Sequence, residues 1–146
     1  MKKKLILIVE QSLEEQENAK KVAVKHGCLP IVAGNLEDGL RLFKSFKSKL
    51  FGVITTLYYE QKFKSPRYGQ RRVQDYQKTS KPNGLAILAT CTNNGVRVAI
   101  CDQYQDDYLD IVIEVMLNHR KYPFSKIPVS RNFKDWDKIT KELLKL

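Results

Sequence analysis

Few residues of this sequence combine a side-chain type and a position that suit chemistry. Glu10 directly follows the apolar run at residues 5–9, and open α/β folds place their sites at the carboxyl ends of buried parallel strands. Its carboxylate can bind a cation, although the dipole of a following helix favours an acid at the same point. Cys101 also ends an apolar run, but no obvious base stands near it to activate the thiol. His26 and His119 have no second ligand at metal spacing, so we predict no metal site.

The sequence lacks the common signatures of an enzyme. The first apolar run continues into QSLEE without a glycine, which excludes both the dinucleotide fingerprint and the nucleotide P-loop there. No pairing of serine or cysteine with histidine suggests a nucleophile. We therefore predict that the protein is not an enzyme and that it uses no cofactor.

Composition sets the size class, the charge and the compartment. With 146 residues and a formal net charge of +10, the chain fits a single domain that attracts anionic partners. The three cysteines show no CxxC spacing and lie in apolar segments, as expected of free buried thiols in a reducing compartment. The first apolar run is too short for a signal peptide or a membrane span. We predict a cytoplasmic protein that makes no membrane contact.

Two kinds of apolar segment alternate along the chain: short continuous runs and segments in which apolar residues recur at helical spacing. Runs at residues 5–9, 31–33, 50–57, 96–101 and 127–130 predict strands of a parallel sheet. Helical spacing of apolar residues follows each run, at residues 12–26, 35–46, 84–93, 107–120 and from about 134. Ser12 and Glu15 have the spacing of a capping box at the first helix start. This alternation implies a doubly wound α/β fold, a three-layer α/β/α sandwich.

The alternation and three short motifs resemble the receiver domain of two-component response regulators. LILIVEQS is similar to the family's first strand and the acids that follow it, and ITTL is similar to its third strand, which ends in the phosphoacceptor aspartate. KDW is similar to its lysine-x-aromatic turn before the last helix. The resemblance covers nearly the whole chain apart from residues 58–83. It implies a flavodoxin-like (βα)5 fold with strand order 2-1-3-4-5.

The resemblance also implies where a receiver site would lie. Receivers bind Mg²⁺ through an acidic pair after the first strand and accept phosphate on an aspartate after the third. They use a Thr or Ser after the fourth strand and a Lys after the fifth. In this sequence the position of the acidic pair is held by Gln11 and Ser12, with Glu10 just before them, and the phosphoacceptor position is held by Thr56 (Thr55 or Leu57 in a shifted alignment). Cys101, with Asp102 beside it, stands at the fourth-strand position, and Lys134 (or Arg131 if the turn is matched differently) stands at the lysine position.

The matched residues lack receiver chemistry. One glutamate would have to do the work of two or three acids for a hard cation, and no carboxylate stands between Leu50 and Tyr59 to form an acyl phosphate. We therefore predict a non-catalytic pseudo-receiver that acts as a signalling or interaction module. A divergent response regulator that keeps weak Mg²⁺ or phosphate binding, through Glu10 and a neighbour such as Asp102, is an alternative.

The segment at residues 58–83 has no sustained apolar period and is unusually long for a connection. Seven Lys and Arg residues and five aromatic residues stand there against two acids. Cations and rings together are typical of single-strand nucleic acid binders, but a solvated loop that packs its tyrosines on the sheet has the same composition. We predict contact with an unknown protein partner, with nucleic acid binding as the alternative. The candidate contact residues are Lys62, Lys64, Arg67, Tyr68, Arg71 and Arg72.

Overall fold

Strands and helices alternate along the protein in its computed structural model, which describes residues 2–57, 84–102, 107–119, 121–130 and 133–146, without the side chains of Asp107 and Tyr108. The strands are β1 (Lys4–Val9), β2 (Cys28–Ala33), β3 (Leu50–Thr55), β4 (Arg97–Cys101) and β5 (Val129–Ser130). The helices are α1 (Leu13–Lys25), α2 (Leu36–Phe46), α3 (Gly84–Asn93), α4 (Asp107–Leu117) and α5 (Trp136–Leu144).

The strands form one parallel sheet in the order β2-β1-β3-β4-β5. The predicted strand order is therefore confirmed, and β1 occupies an interior position. Leu7 lies opposite Ile31 of β2 on one side and opposite Val53 of β3 on the other. A strand with neighbours on both sides and helices on both faces must be apolar on both faces, which explains the uninterrupted apolar run.

Helices cover both faces of the sheet, so the described residues form two hydrophobic cores. Ile6 and Ile8 of β1 are buried in the core that contains residues of α1 and α5. Leu7 and Val9 are buried in the other core, with residues of α2, α3 and α4. Successive strand residues point to opposite faces, so one short strand contributes to both cores.

The helix boundaries follow from capping residues. Ser12, Asn35 and Asp135 precede α1, α2 and α5, and each accepts a hydrogen bond from the amide three residues on, at 2.7 to 3.4 Å. Gly27 and Gly95, which follow α1 and α3, have φ of +77° and +64°. Glycine adopts this left-handed conformation without steric cost, so the predicted ends of these two helices are confirmed.

Several element boundaries differ from the prediction. β2 begins at Cys28 rather than Ile31, and it includes Pro30, which lies opposite Ile6. An edge strand tolerates a proline because one side of it pairs with no neighbour. β5 is limited to Val129–Ser130. α4 ends at Leu117, and α5 begins at Trp136 because the cap is Asp135 rather than a residue before it.

Some predictions fall on residues outside the described part of the chain. The basic and aromatic segment at residues 58–83, with all six candidate contact residues, lies there, as does Arg131. A contact surface on that segment therefore stays a prediction. Among the described helices, none is both long and apolar enough to cross a membrane.

Candidate functional site at the strand ends

The sheet register places in one row the residues that follow β1 and β3 and the last residue of β4. Glu10, Thr56 and Cys101 each stand next to residues that are paired across these three strands. The amide of Thr56 donates to the carbonyl of Val9 at 3.1 Å, which extends the ladder by one step. All three side chains are buried. The register therefore brings together three of the residues that the receiver resemblance singles out.

Glu10 is the charged centre of this row. Its side chain is 1% exposed, and its Oε1 accepts a hydrogen bond from Nζ of Lys134 in an ion pair. Burial raises the pKa of the Glu10 carboxyl above its ordinary value, because loss of hydration outweighs the opposing effect of the Lys134 ammonium. The pair joins the end of β1 to the segment that follows β5.

The turn before α5 holds Lys134 in place. Oγ of Ser130 donates to the carbonyl of Phe133 at 2.5 Å and accepts from the amide of Asp135 at 3.1 Å. These two partners flank Lys134 in the sequence, so one buried hydroxyl fixes the backbone on both sides of the lysine. Asp135 then caps α5. The turn directs Lys134 toward the strand ends by local hydrogen bonds.

The end of β3 is fixed by backbone contacts and contributes no charge. Oδ2 of Asp102 accepts from the amide of Leu57 at 2.8 Å, which ties β4 to β3. The amide of Gly84, the first residue of α3, donates to the carbonyl of Leu57 at 2.8 Å. Among the described residues, Oγ1 of Thr56 and Oε2 of Glu10 are buried without a hydrogen-bond partner. Each unsatisfied group carries a desolvation cost.

Cys101 belongs to the hydrophobic core. Its thiol is fully buried, and burial raises its pKa, so the nucleophilic thiolate is disfavoured. Cys28 and Cys91 are also free and buried, and burial raises their pKa values too. The predicted free buried thiols are confirmed.

Gln11 and Ser12 lie apart from the buried row. Both residues are exposed, and Ser12 caps α1. The capping box is only half formed, because the carboxylate of Glu15 accepts from the indole Nε1 of Trp136 at 2.6 Å. Sequence reasoning missed this contact between α1 and α5. The sequence offered one indication of this contact, namely that the indole N–H of a buried tryptophan needs a hydrogen-bond partner.

The two histidines make structural contacts. Nε2 of His26 lies 2.8 Å from Oδ1 of Asp137 in α5. His26 and Lys141 hold the pKa of the Asp137 carboxyl down, at about 2. Nδ1 of His119 accepts from the amide of Lys121 at 3.2 Å. His26 and Asp137 thus add a polar link between α1 and α5.

The residues at the strand ends do not fit a Mg²⁺ site. Such a cation requires several oxygen ligands, preferably carboxylates. One oxygen of Glu10 is occupied by the Lys134 ammonium, and one oxygen of Asp102 accepts from a backbone amide. Within the described part of the chain, no three His, Cys, Asp or Glu side chains group as metal ligands. A lysine ammonium already neutralises the only acid in the row.

Solved receiver domains share this fold. A response regulator receiver protein from Pseudomonas putida superposes with a TM-score of 0.63 at 14% identity, over 99% of this chain and 98% of its own. A receiver domain protein from Clostridium thermocellum gives 0.61 at 17% identity, over 97% and 92%. A CheY-like receiver domain protein from Methanospirillum hungatei JF-1 gives 0.63 at 12% identity, over 99% and 96%. No protein-family model and no curated protein matches the sequence.

At these identities the likeness concerns the fold alone. The parallel order β2-β1-β3-β4-β5 and the helices on both faces define a flavodoxin-like α/β domain. Within that class, the chain has the fold of response regulator receiver domains. The expected resemblance is confirmed at that level.

Proposed function

We propose that this protein is a receiver-like interaction module that does not accept a phosphoryl group. The observation that carries the proposal is the pairing at the strand ends. Lys134 pairs with Glu10 at the end of β1, while the position after β3 holds the neutral side chain of Thr56. Phosphoryl transfer to a side chain requires a nucleophile, a metal and neutralising charges held together. Here the charges of the site neutralise each other.

The chemistry of the threonine supports the same proposal. An acyl phosphate needs a carboxylate, and the sequence has none between Leu50 and Tyr59. The hydroxyl of Thr56 is buried, and no hydrogen-bond partner among the described residues acts as its base. A weak nucleophile without an activating base does not react at neutral pH. The divergent response regulator with residual Mg²⁺ binding is correspondingly disfavoured.

An interaction role remains for a receiver fold without phosphotransfer. The basic and aromatic composition of residues 58–83 supports a contact surface on that segment, with a protein as the proposed partner. The three free buried thiols support a reducing compartment such as the cytoplasm.

Incubation with acetyl phosphate and Mg²⁺, followed by intact-mass measurement, tests the proposal. We expect no increase in mass corresponding to one phosphoryl group, because no carboxylate stands at the end of β3. A receiver domain that phosphorylates itself from acetyl phosphate serves as the positive control in the same buffer. A phosphoryl adduct on this protein, mapped to any residue at the strand ends, would overturn the proposal.

A further inference from the structure

An apolar groove lies on the opposite side of the molecule from the α1–α5 contact, between α3 and α4. Its volume is about 520 Å³. Leu85, Ala86 and Ala89 of α3 form one wall, and Ile111, Val115 and Met116 are among the α4 residues that form the other. None of these residues takes part in the strand-end site. The groove therefore needs an explanation of its own.

The side chains on the two helices keep the groove open. Ala86 and Ala89 carry no atoms beyond Cβ, so α3 cannot fill the space in front of α4. Ile111 and Val115 stand one turn apart and remain 61% and 63% exposed. Large apolar side chains that share one exposed helix face are typical of an interaction site. This arrangement leaves two adjacent anchor points uncovered.

The charge of the two helices differs from that of the rest of the protein. The formal net charge is +10, yet α3 and α4 contain no Lys, Arg or His. Their side chains that are charged at neutral pH are the acids of α4, at residues 107, 110 and 114. Glu114 is exposed and lies between Ile111 and Val115 in the sequence. An apolar groove on two helices without basic side chains, with Glu114 exposed on α4, is complementary to a basic apolar ligand.

We propose that the groove between α3 and α4 binds an amphipathic helix of a partner protein whose polar face is basic. A helix in a groove inserts apolar side chains at i, i+3, i+4 and i+7, which matches anchors one turn apart on α4. Met116 can adapt its flexible thioether to the inserted side chain. Basic residues of the partner would then lie beside Glu114. The proposal deepens the interaction role proposed above and rests on it.

A synthetic amphipathic helical peptide made of leucine and lysine serves as the probe, and fluorescence anisotropy of the labelled peptide measures its binding to the full chain. A peptide with glutamate in place of each lysine tests the charge requirement. Val115→Ser removes an apolar anchor. Val24→Ser is the matched control, because Val24 is 57% exposed on α1, away from the groove.

We expect the lysine peptide to bind and the glutamate peptide not to bind. Val115→Ser should weaken binding by about tenfold, which corresponds to loss of most of the burial of one valine side chain. Val24→Ser should leave affinity unchanged, and Glu114→Lys should weaken binding more at low than at high salt. Because all three positions are exposed, the variants should fold as the wild type does.

Three results would overturn this proposal. The first is no binding of the lysine peptide, or equal binding of both peptides. The second is equal loss of affinity in Val115→Ser and Val24→Ser. The third is a wild-type dimer in sedimentation equilibrium that Val115→Ser dissociates, because a second copy would then be the occupant. None of these results bears on phosphoryl transfer. A phosphoryl adduct would contradict the proposed non-catalytic role, but it would not change the interpretation of the peptide binding.

Discussion

The Glu10–Lys134 pair determines the chemistry of the strand ends at the scale of single residues. A buried carboxylate pays a desolvation cost that its partner offsets only in part, and the raised pKa of Glu10 reflects this balance. Lys134 also stands within a turn fixed by Ser130. The pair thus explains why Glu10 tolerates burial.

Removing one or the other partner of this pair should have unequal consequences for stability. Lys134→Met leaves an unpaired carboxylate that is 1% exposed, so it should lower the free energy of unfolding by roughly 3 kcal/mol at neutral pH. Glu10→Gln removes the buried charge and leaves the Lys134 ammonium, whose side chain is 14% exposed, without its partner, so it should lower the free energy of unfolding less than Lys134→Met does. Urea denaturation measures both effects. Lys138→Met, at an exposed position of α5, is the control, and an equal loss in both lysine variants would refute this account.

The pH dependence of the same variants has a defined sign. Because the folded-state pKa of Glu10 is raised above 4.5, the folded protein binds this proton more tightly than the unfolded chain does. Stability from this group is fully present below pH 4.5 and is lost as pH rises through the raised pKa. The wild type should therefore lose stability relative to Glu10→Gln as pH rises above 4.5. Parallel stability curves for the two proteins would contradict the assignment.

At the scale of elements, close backbone approach positions α3 against the end of β3. A Cβ added to Gly84 would lie 2.1 Å from the carbonyl oxygen of Thr56 and 2.7 Å from Cα of Leu57. Only glycine allows the helix to begin there. This contact sets where the chain returns to the sheet after residues 58–83, and it covers the end of β3.

Gly84→Ala should therefore destabilise the protein, by about 1–3 kcal/mol or more, because backbone atoms rather than a flexible side chain must move. Gly34→Ala is the matched control, since its Cβ would meet only Nε2 of Gln16, at 3.2 Å. Thermal unfolding of both variants checks the prediction. A melting temperature of Gly84→Ala as high as that of Gly34→Ala would show that the approach of α3 is looser than described.

At the scale of the whole molecule, the sequence predicted the fold much better than the site. Apolar runs and helix caps at Ser12 and Asn35 are local sequence patterns, so the order of elements could be predicted from them, and the receiver resemblance implied the strand order. Contacts between residues far apart in sequence, such as Glu15 with Trp136, leave no local pattern. The start of β2 was predicted too late, at Ile31, because a strand accepts a proline such as Pro30 only if it lies at the sheet edge, and the sequence does not show which strand that is.

The strand-end site also depends on contacts between residues far apart in sequence, which local patterns do not predict. The receiver resemblance pointed to these strand ends, but it could not predict that Glu10 is the acid that pairs with Lys134 while Gln11 and Ser12 stay exposed. Which of three consecutive residues turns inward depends on the register between β1 and β3, which becomes visible only once the strands are paired.

The central claim is that a receiver fold is present here without receiver chemistry. An NMR titration of the isotope-labelled protein with beryllofluoride and Mg²⁺ tests it most directly, because beryllofluoride mimics a phosphoryl group only where a carboxylate and a metal are held together. The account predicts that the amide resonances of Glu10, Thr56 and Cys101 do not move. Mg²⁺-dependent shifts of these resonances on addition of beryllofluoride would contradict it.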